Sequence, residues 1–189
     1  MSAQRLLLLG PPGVGKGTQA QILAKELGVP QISTGDMLRV AVAAESEVGL
    51  RAKALMDRGE LVADEIVIAV ARERLAEADA GRGFILDGFP RTRQQARALD
   101  ETLAELGTPL ESCVALRADE DELVSRLLKR AKIEGRSDDN EETIRNRLKV
   151  YREETAPLAE HYAALGLVRD VEGMGSIEAV AKRIREALS

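Results

Sequence analysis

The chain has very few of the residues on which many catalytic and metal sites depend. Its 189 residues include one cysteine, one histidine, two phenylalanines, two tyrosines and no tryptophan. Cys113 lies in an apolar run, where a buried strand residue is expected, and His161 lies beside Tyr162 on a predicted helix. We therefore predict no disulfide, no zinc site and no Ser-His-Asp triad.

Long apolar runs and an excess of positive charge are also missing. No stretch reaches the roughly 18–20 apolar residues that cross a bilayer, and the N-terminus lacks the pattern of a cleaved signal. The net charge of −5 and the scarcity of aromatic side chains disfavour nucleic acid as a substrate. These features predict a cytoplasmic protein that has neither a membrane nor a nucleic acid as a partner.

The composition and the alternation of patterns are those of one globular α/β domain. Apolar residues make up 44% of the chain and charged residues 31%. Short apolar runs alternate with long helical patterns, which predicts a parallel sheet flanked by helices. Strands are predicted at 5–9, 31–33, 84–86, 112–116 and 167–171. Helices are predicted at 16–27, 36–44, 47–57, 64–78, 92–106, 119–130, 141–162 and 176–188.

Local signals refine the boundaries of these helices. Helix starts are expected at Thr34 or Asp36 and at Asp64, Asp119 and Ser176. Pro157 is expected to kink or divide the long helical stretch 141–162. Two stretches, about 34–63 and 131–139, fit the sheet poorly. We interpret them as insertions that could move over a site.

The strongest motif follows the first predicted strand. Residues 10–18 read Gly-Pro-Pro-Gly-Val-Gly-Lys-Gly-Thr, so a glycine-rich loop with a lysine joins a buried strand to a helix. Backbone N–H groups of such a loop can turn toward a phosphate, and Lys16 adds a positive charge. A plain strand-to-helix turn would explain one or two glycines, but not four with a lysine. The usual motif has Ser or Thr directly after the lysine, whereas here Gly17 precedes Thr18, so this motif does not by itself supply the usual magnesium ligand.

A carboxylate and several arginines could complete a phosphate site. Asp87 follows the predicted strand 84–86, where open α/β sheets place their ligands, and Arg91 follows Pro90 on a stiff loop. The alternative for Asp87-Gly88 is a simple turn at the strand exit. Arg126, Arg130, Arg136 and Arg147 lie around the polar segment 131–139. Such a cluster can neutralise a transferred phosphoryl group, although any single arginine could also belong to a solvated helix face.

Four blocks in order make the chain similar to the adenylate kinase family of nucleoside monophosphate kinases, over essentially its whole length. They are Gly-Pro-Pro-Gly-Val-Gly-Lys-Gly-Thr-Gln at 10–19, Gln-Ile-Ser-Thr-Gly-Asp-Met-Leu-Arg at 31–39, Leu-Asp-Gly-Phe-Pro-Arg-Thr at 86–92 and Gly-Arg-Ser-Asp-Asp-Asn at 135–140. The resemblance implies reversible transfer of a phosphoryl group from ATP to AMP, giving two ADP, with Mg²⁺ as cofactor.

The resemblance also implies roles for individual residues. The ATP-binding residues would be Gly13, Val14, Gly15, Lys16, Gly17, Thr18, Arg126, Arg130 and Gly175. The AMP-binding residues would be Thr34, Arg39, Glu60, Leu61, Val62, Gly88, Phe89, Pro90, Arg91, Gln95, Arg136 and Arg147, with Gln95 reading the adenine edge. The catalytic set would be Lys16, Arg91, Arg126, Arg130, Arg136 and Arg147, and Asp87 would organise magnesium through water.

The implied architecture is a five-stranded parallel sheet of the P-loop NTPase type in a single domain, 1–189. Its core would be 1–32, 63–129 and 141–189, with a helical AMP-binding segment at 33–62 and a short lid at 130–140. The lid has no cysteine, so no structural zinc is expected. Because one chain carries both nucleotide sites, we expect a monomer.

Two other functions are compatible with these motifs. A CMP or UMP kinase would keep the mechanism, but its base-contacting residues are expected to differ from Thr34 and Gln95. A catalytically silent nucleotide-binding scaffold would keep the fold. The joint presence of Lys16 and the arginines argues against the scaffold, because binding alone does not need them.

Overall fold

A five-stranded parallel sheet forms the centre of the protein. The structure, a computed structural model, describes residues 4–134 and 140–189. The strand order is β2-β3-β1-β4-β5, and every pair of neighbours is parallel. The strands are β1 (Arg5–Leu9), β2 (Gln31–Ser33), β3 (Phe84–Asp87), β4 (Ser112–Arg117) and β5 (Val168–Glu172). The predicted fold class is confirmed, and each strand lies within one residue of its predicted bounds.

Helices connect the strands. They are α1 (Lys16–Leu27), α2 (Thr34–Ala43), α3 (Glu47–Asp57), α4 (Asp64–Leu75), α5 (Arg93–Leu106), α6 (Glu120–Glu134), α7 (Glu141–Val150), α8 (Leu158–Ala164) and α9 (Ile177–Ala187). A 3₁₀ turn spans Ala78–Arg82 and a π-helical turn spans Tyr151–Thr155. Among the described residues, no helix is long and apolar enough to cross a membrane.

The central strand β1 is buried on both faces, as its leucine run predicts. Leu7 and Leu9 belong to one core cluster with Leu86 of β3, whereas Leu6 and Leu8 belong to another cluster with Val114 of β4. This alternation follows from the period of two in a strand, with helices covering both sides of the sheet.

Several helix boundaries differ from the predicted ones, among them the end of α4 at Leu75 rather than 78. The second helix begins at Thr34, because the Ser33 hydroxyl accepts the Asp36 N–H at 3.3 Å, so neither Thr34 nor Asp36 is the capping residue. The sixth helix was expected to end near 130, but α6 continues to Glu134. Residues 131–134 of the predicted lid are therefore helical, while 135–139 lie outside the described residues.

The long C-terminal helical stretch is divided as predicted, although the division begins before the proline. Regular α7 ends at Val150, the π-helical turn follows, and Pro157 stands directly before α8. The Thr155 hydroxyl donates to the Arg91 carbonyl at 2.8 Å. The irregular turn thus contacts the loop after β3, which carries several of the predicted site residues.

Chain direction places a crevice at one edge of the sheet. From β1 the chain crosses to β2 on one side, and from β3 it crosses to β4 on the other. The neighbouring strands β1 and β3, with Leu8 opposite Asp87, therefore form the topological switch point. Open α/β sheets bind ligands at the carboxyl ends of such strands. Here those ends lead into the glycine-rich loop and the Asp87–Arg91 loop.

Candidate active site

The glycine-rich loop, residues 10–18, is termed the phosphate cradle. Gly13 and Gly15 adopt φ values of 84° and 100°, a region that L side chains rarely occupy. A Cβ at Gly13 would also lie 2.8 Å from Leu127 Cγ on α6, whereas one at Gly15 would meet no atom within 4 Å. The shape of the cradle thus depends on the positive φ values of its glycines and on the close packing of Gly13 against α6.

Lys16 lies at the start of α1 and points back across the cradle. Its Nζ donates to the Gly10 carbonyl at 2.6 Å and to the Pro11 carbonyl at 3.0 Å. Burial lowers the pKa of Lys16 to about 8, an effect that Asp87 opposes and that Arg91, Arg147 and Arg130 strengthen. The ammonium therefore sits in an electropositive pocket where an anion would favour its charged form.

Asp87 brings a carboxylate to the same place. It ends β3 beside the start of α1, and a Cβ at Gly17 would lie 3.4 Å from Asp87 Oδ2. The Gln31 amide nitrogen donates to the same oxygen at 3.4 Å. A side chain at position 17 would thus contact this carboxylate. The Asp87 carboxylate therefore lies next to the place where the usual motif has a Ser or Thr hydroxyl.

Arg91 is held by several parts of the fold. Its Nε donates to the Gly88 carbonyl at 2.8 Å, and its backbone N–H donates to Gln95 Oε1 at 2.8 Å. Its carbonyl accepts the Thr155 hydroxyl. Arg91 also lines the cavity that contains the phosphate cradle, and a planar guanidinium fork held in such a position is suited to bind a phosphate.

A cavity of about 400 Å³ joins these groups and is termed the phosphate cleft. It combines the cradle with the loop after β3 and with basic side chains from α2, α6 and α7. The lining residues include Pro12, Gly13, Gly15, Lys16, Gly17, Thr18, Arg39, Asp87, Gly88, Arg91, Arg126, Arg130 and Arg147. Of the six residues of the predicted catalytic set, five therefore share one cavity, and the sixth, Arg136, lies outside the described residues.

The arginines of α6 and α7 reach the cleft from two sides. Arg126 donates to Glu122 Oε1 at 2.6 Å and to the Gly173 carbonyl at 3.4 Å, so it spans α6 and the loop after β5. Arg130 lies one turn further along α6, and Arg147 lies on α7. Both line the cleft, and their positive charges help to lower the pKa of Lys16.

A second pocket, termed the side pocket, opens beside Arg91. It is lined by Thr34, Gly35, Leu38, Arg39, Met56, Gly59, Glu60, Leu61, Val62, Val67, Gly88, Arg91, Gln95 and Arg147. The Thr34 hydroxyl donates to the Gly88 carbonyl at 3.0 Å, and Arg39 pairs with Asp36 at 2.5 Å. The pocket thus combines apolar and polar groups with Arg39 and Arg91, which also line the phosphate cleft, as suits a base attached to a phosphate.

Three predicted site residues have other surroundings. Val14 and Phe89 are each 2% exposed and pack in the core. Their side chains therefore anchor the cradle and the loop after β3 to the core. Gly175 is not among the residues that line the cleft. It lies two residues after Gly173, where a Cβ would lie 2.6 Å from Val14 Cγ2, so the 173–175 loop packs against the cradle at Gly173.

Sequence reasoning missed residues that support the site from outside it. Asp64 was interpreted only as a helix start, yet its carboxylate accepts the Thr92 hydroxyl at 2.9 Å and the Gln95 amide at 2.8 Å. Thr92 and Gln95 have the spacing of a capping box, a signal that could have drawn attention to them. Gly59 lines the side pocket and packs on Arg147 and Thr143, a contact that no motif reveals.

Comparison with known proteins identifies what the chain is similar to. Residues 8–167 match the family model described as adenylate kinase. The adenylate kinase of Thermobifida fusca is 55% identical over 184 residues, covering 97% of each chain. Those of Leptospira biflexa and Rhizobium meliloti are 53% and 52% identical, covering 98% of this chain and 100% of each relative.

Proposed function

The chain belongs to the adenylate kinase family, and on that premise we propose how its residues transfer a phosphoryl group from ATP to AMP to give two ADP. The observation that carries the proposal is the convergence of Lys16, Arg91, Arg130 and Arg147 on one cleft at the switch point between β1 and β3. Phosphoryl transfer depends on positioning and charge neutralisation, and this arrangement supplies both.

We assign the phosphates of ATP to the cradle. Backbone N–H groups of residues 13–18 and the start of α1 would face the β- and γ-phosphates, as a helix N-terminus favours anions. Lys16 would exchange the Gly10 and Pro11 carbonyls for phosphate oxygens. Arg126 and the 173–175 loop, which are joined by a hydrogen bond, would border the adenosine of ATP.

We assign AMP to the side pocket and its mouth. Arg39, Arg91 and Arg147 line the side where this pocket meets the phosphate cleft, so they would hold the AMP phosphate. The backbone at 60–62 and the side chains of Thr34 and Gln95 would surround the ribose and base. Arg136 is proposed for the phosphate side on the family resemblance alone.

The chemical step requires no nucleophile from the protein. An oxygen of the AMP phosphate attacks the γ-phosphorus of ATP, and the bond from that phosphorus to the β,γ-bridging oxygen breaks. Lys16, Arg91, Arg130 and Arg147 would stabilise the charge that spreads over the transferring group. Cys113 is unsuited to the reaction, because burial raises the pKa of its thiol to about 12.

Magnesium fits the residues present. Mg²⁺ is usually held by one or two carboxylates, several waters and the substrate phosphates, and when bound it would neutralise charge on the β- and γ-phosphates. Asp87 offers a carboxylate at the floor of the cleft, beside the space that a side chain at Gly17 would fill. We propose that Asp87 binds magnesium through water, which replaces the hydroxyl that position 17 lacks.

Motion and assembly are proposed on the same basis. Segment 33–62 would close over AMP and segment 130–140 over ATP, excluding water from the transfer.

Since the described residues of one chain line both pockets, the enzyme would act as a monomer. We propose the cytoplasm as its compartment, because ATP and AMP are used there.

The deciding experiment is magnesium-dependent ADP formation from ATP with AMP, CMP, UMP or GMP as acceptor. Strong turnover with AMP alone is expected, and Lys25→Met, on the exposed face of α1, should leave it unchanged. Preference for CMP or UMP would overturn the base assignment but keep the mechanism. Nucleotide binding without transfer to any acceptor would overturn the activity.

A further inference from the structure

We infer that Asp64 is a specificity-determining residue that acts through Gln95, by fixing which way round its amide faces the base. The inference rests on the proposed function, since it assumes that AMP occupies the side pocket. Asp64 is the first residue of α4 and is not among those that line the side pocket. Its effect on AMP would therefore be indirect.

The hydrogen-bond network admits only one orientation of the Gln95 amide. The Asp64 carboxylate can only accept, and its Oδ1 lies 2.8 Å from Gln95 Nε2. The Arg91 backbone N–H can only donate, and it lies 2.8 Å from Gln95 Oε1. Turning the amide over would place an oxygen against a carboxylate and an NH₂ against an N–H, so both contacts would become repulsive.

Thr92 fixes the carboxylate in turn. Its hydroxyl accepts the Gln95 backbone N–H at 3.2 Å and donates to Asp64 Oδ2 at 2.9 Å. Each carboxylate oxygen thus has its own donor, and the side chain of Gln95 is only 1% exposed, so water competes little for these bonds. Asp64, Thr92 and the Arg91 backbone together hold the amide from behind.

This orientation selects one kind of base edge. The amide of Gln95 keeps one N–H and one oxygen lone pair beyond those used by Asp64 and Arg91. Adenine presents an acceptor at N1 and a donor at N6, which match an amide presenting N–H and C=O. Hypoxanthine and guanine present a donor at N1 and an acceptor at O6, which require the reversed amide. A locked Gln95 therefore favours AMP and rejects 6-oxopurine monophosphates.

The test compares AMP with inosine monophosphate (IMP), which differs from AMP only at the N1 and C6 positions of the base. Asp64→Ala is expected to lower the ratio of kcat/KM for AMP over IMP by about 10-fold or more, because the reversed amide loses one of its two penalties. The loss should appear mainly in the KM for AMP, with the KM for ATP unchanged. Asp64→Asn keeps an oxygen that accepts from Gln95 Nε2 and should retain most of the ratio.

Two controls separate positioning from a general structural effect. Glu65→Ala removes a carboxylate from the same turn of α4, where Glu65 is exposed, and should leave the ratio unchanged. In a Gln95→Ala background, Asp64→Ala should have almost no further effect on the ratio. An equal loss in both backgrounds, or an unchanged ratio in the Asp64→Ala single variant with its fold intact by circular dichroism, would overturn the inference.

The two proposals fail in different ways. If the unmodified enzyme does not prefer AMP over IMP and pyrimidine monophosphates, the assignment of AMP to the side pocket in the proposed function is wrong. If the unmodified enzyme prefers AMP and Asp64→Ala keeps the full preference, only the role of Asp64 is wrong.

Discussion

The phosphate cradle and the side pocket lie next to each other but are built from different kinds of group. The cradle is a continuous stretch of nine residues whose shape depends on backbone torsion angles, with Lys16 as its one charged side chain. The side pocket draws on α2, the end of α3, the 59–62 loop, the first turn of α4, the loop after β3, α5 and α7. Recognition in the cradle is thus mainly a property of backbone, whereas in the side pocket it is mainly a property of side chains.

This difference gives the two regions different roles in recognising nucleotides. A backbone cradle presents the same N–H groups to any nucleoside triphosphate, so it supports catalysis more than base selection. A pocket of hydrogen-bonded side chains can reject a wrong base, because a mismatched base leaves buried donors and acceptors unpaired. Substitutions in each region can therefore test whether catalysis and base selection are divided in this way.

Replacing the charged group of the cradle should cause the largest loss. Lys16→Met keeps the length of the side chain but removes the charge at the phosphates, and kcat should fall by about 1,000-fold or more. Steady-state ADP formation measures this, with Lys25→Met as the matched lysine on the exposed face of α1. Near-normal turnover in Lys16→Met would show that the charge is supplied by the arginines alone.

The arginine between the two regions should come next. In Arg91→Lys one ammonium cannot both replace the Nε bond to the Gly88 carbonyl and grip a phosphate, so kcat/KM for AMP should fall by about 100-fold. Arg93→Lys, an exposed position two residues later, is the control. If Arg91→Lys matched the unmodified enzyme, the planar fork would not be needed.

Alanine substitutions at two glycines of the cradle should have different effects, one mainly on stability and the other on ATP binding. In Gly13→Ala the alanine must adopt the positive φ of this position, and its methyl group clashes with Leu127. The free energy of unfolding should therefore fall by about 2–5 kcal/mol. Gly15→Ala meets no atom and should cost only about 1–2 kcal/mol, yet its methyl group borders the cleft and should weaken ATP binding. Thermal unfolding and ATP titration distinguish them, and equal stability losses would contradict the contact with α6.

The smallest effect concerns pH. The pKa of Lys16 lies at about 8, below its ordinary value, so the charged form is disfavoured in the folded protein. The resulting loss of stability is present below pH 8 and fades as the pH rises from 8 toward the unfolded value.

Bound phosphate favours the charged form of Lys16, so ATP affinity should fall by about 10-fold between roughly pH 7.5 and 9. Calorimetric titration in two buffers of different ionisation enthalpy would also detect the proton taken up. Lys16→Met should abolish both the fall and the uptake, and persistence of either in that variant would assign them to another group.

Much of the fold could be predicted because its signals are local. The buried leucines of β1, the glycines of the cradle and the cap at Ser176 are each readable within a few residues of sequence. The start of α2 was harder to predict, because several neighbouring residues could cap a helix and tertiary contacts decide which of them does. Ser33 rather than Thr34 caps α2, and the hydroxyl of Thr34 instead bonds to Gly88, on a different strand exit.

Short segments of sequence are enough to predict the class of fold, the phosphate cradle and the set of charged residues available for phosphoryl transfer, because strand burial, glycine torsions and helix starts are local properties. Three contacts arise only in the folded chain: Asp87 lies beside Gly17, the Thr155 hydroxyl bonds to the Arg91 carbonyl, and Asp64 orients Gln95. These contacts join residues from separate loops and helices. Their geometry depends on how the sheet brings those segments together, which no local pattern in the chain encodes.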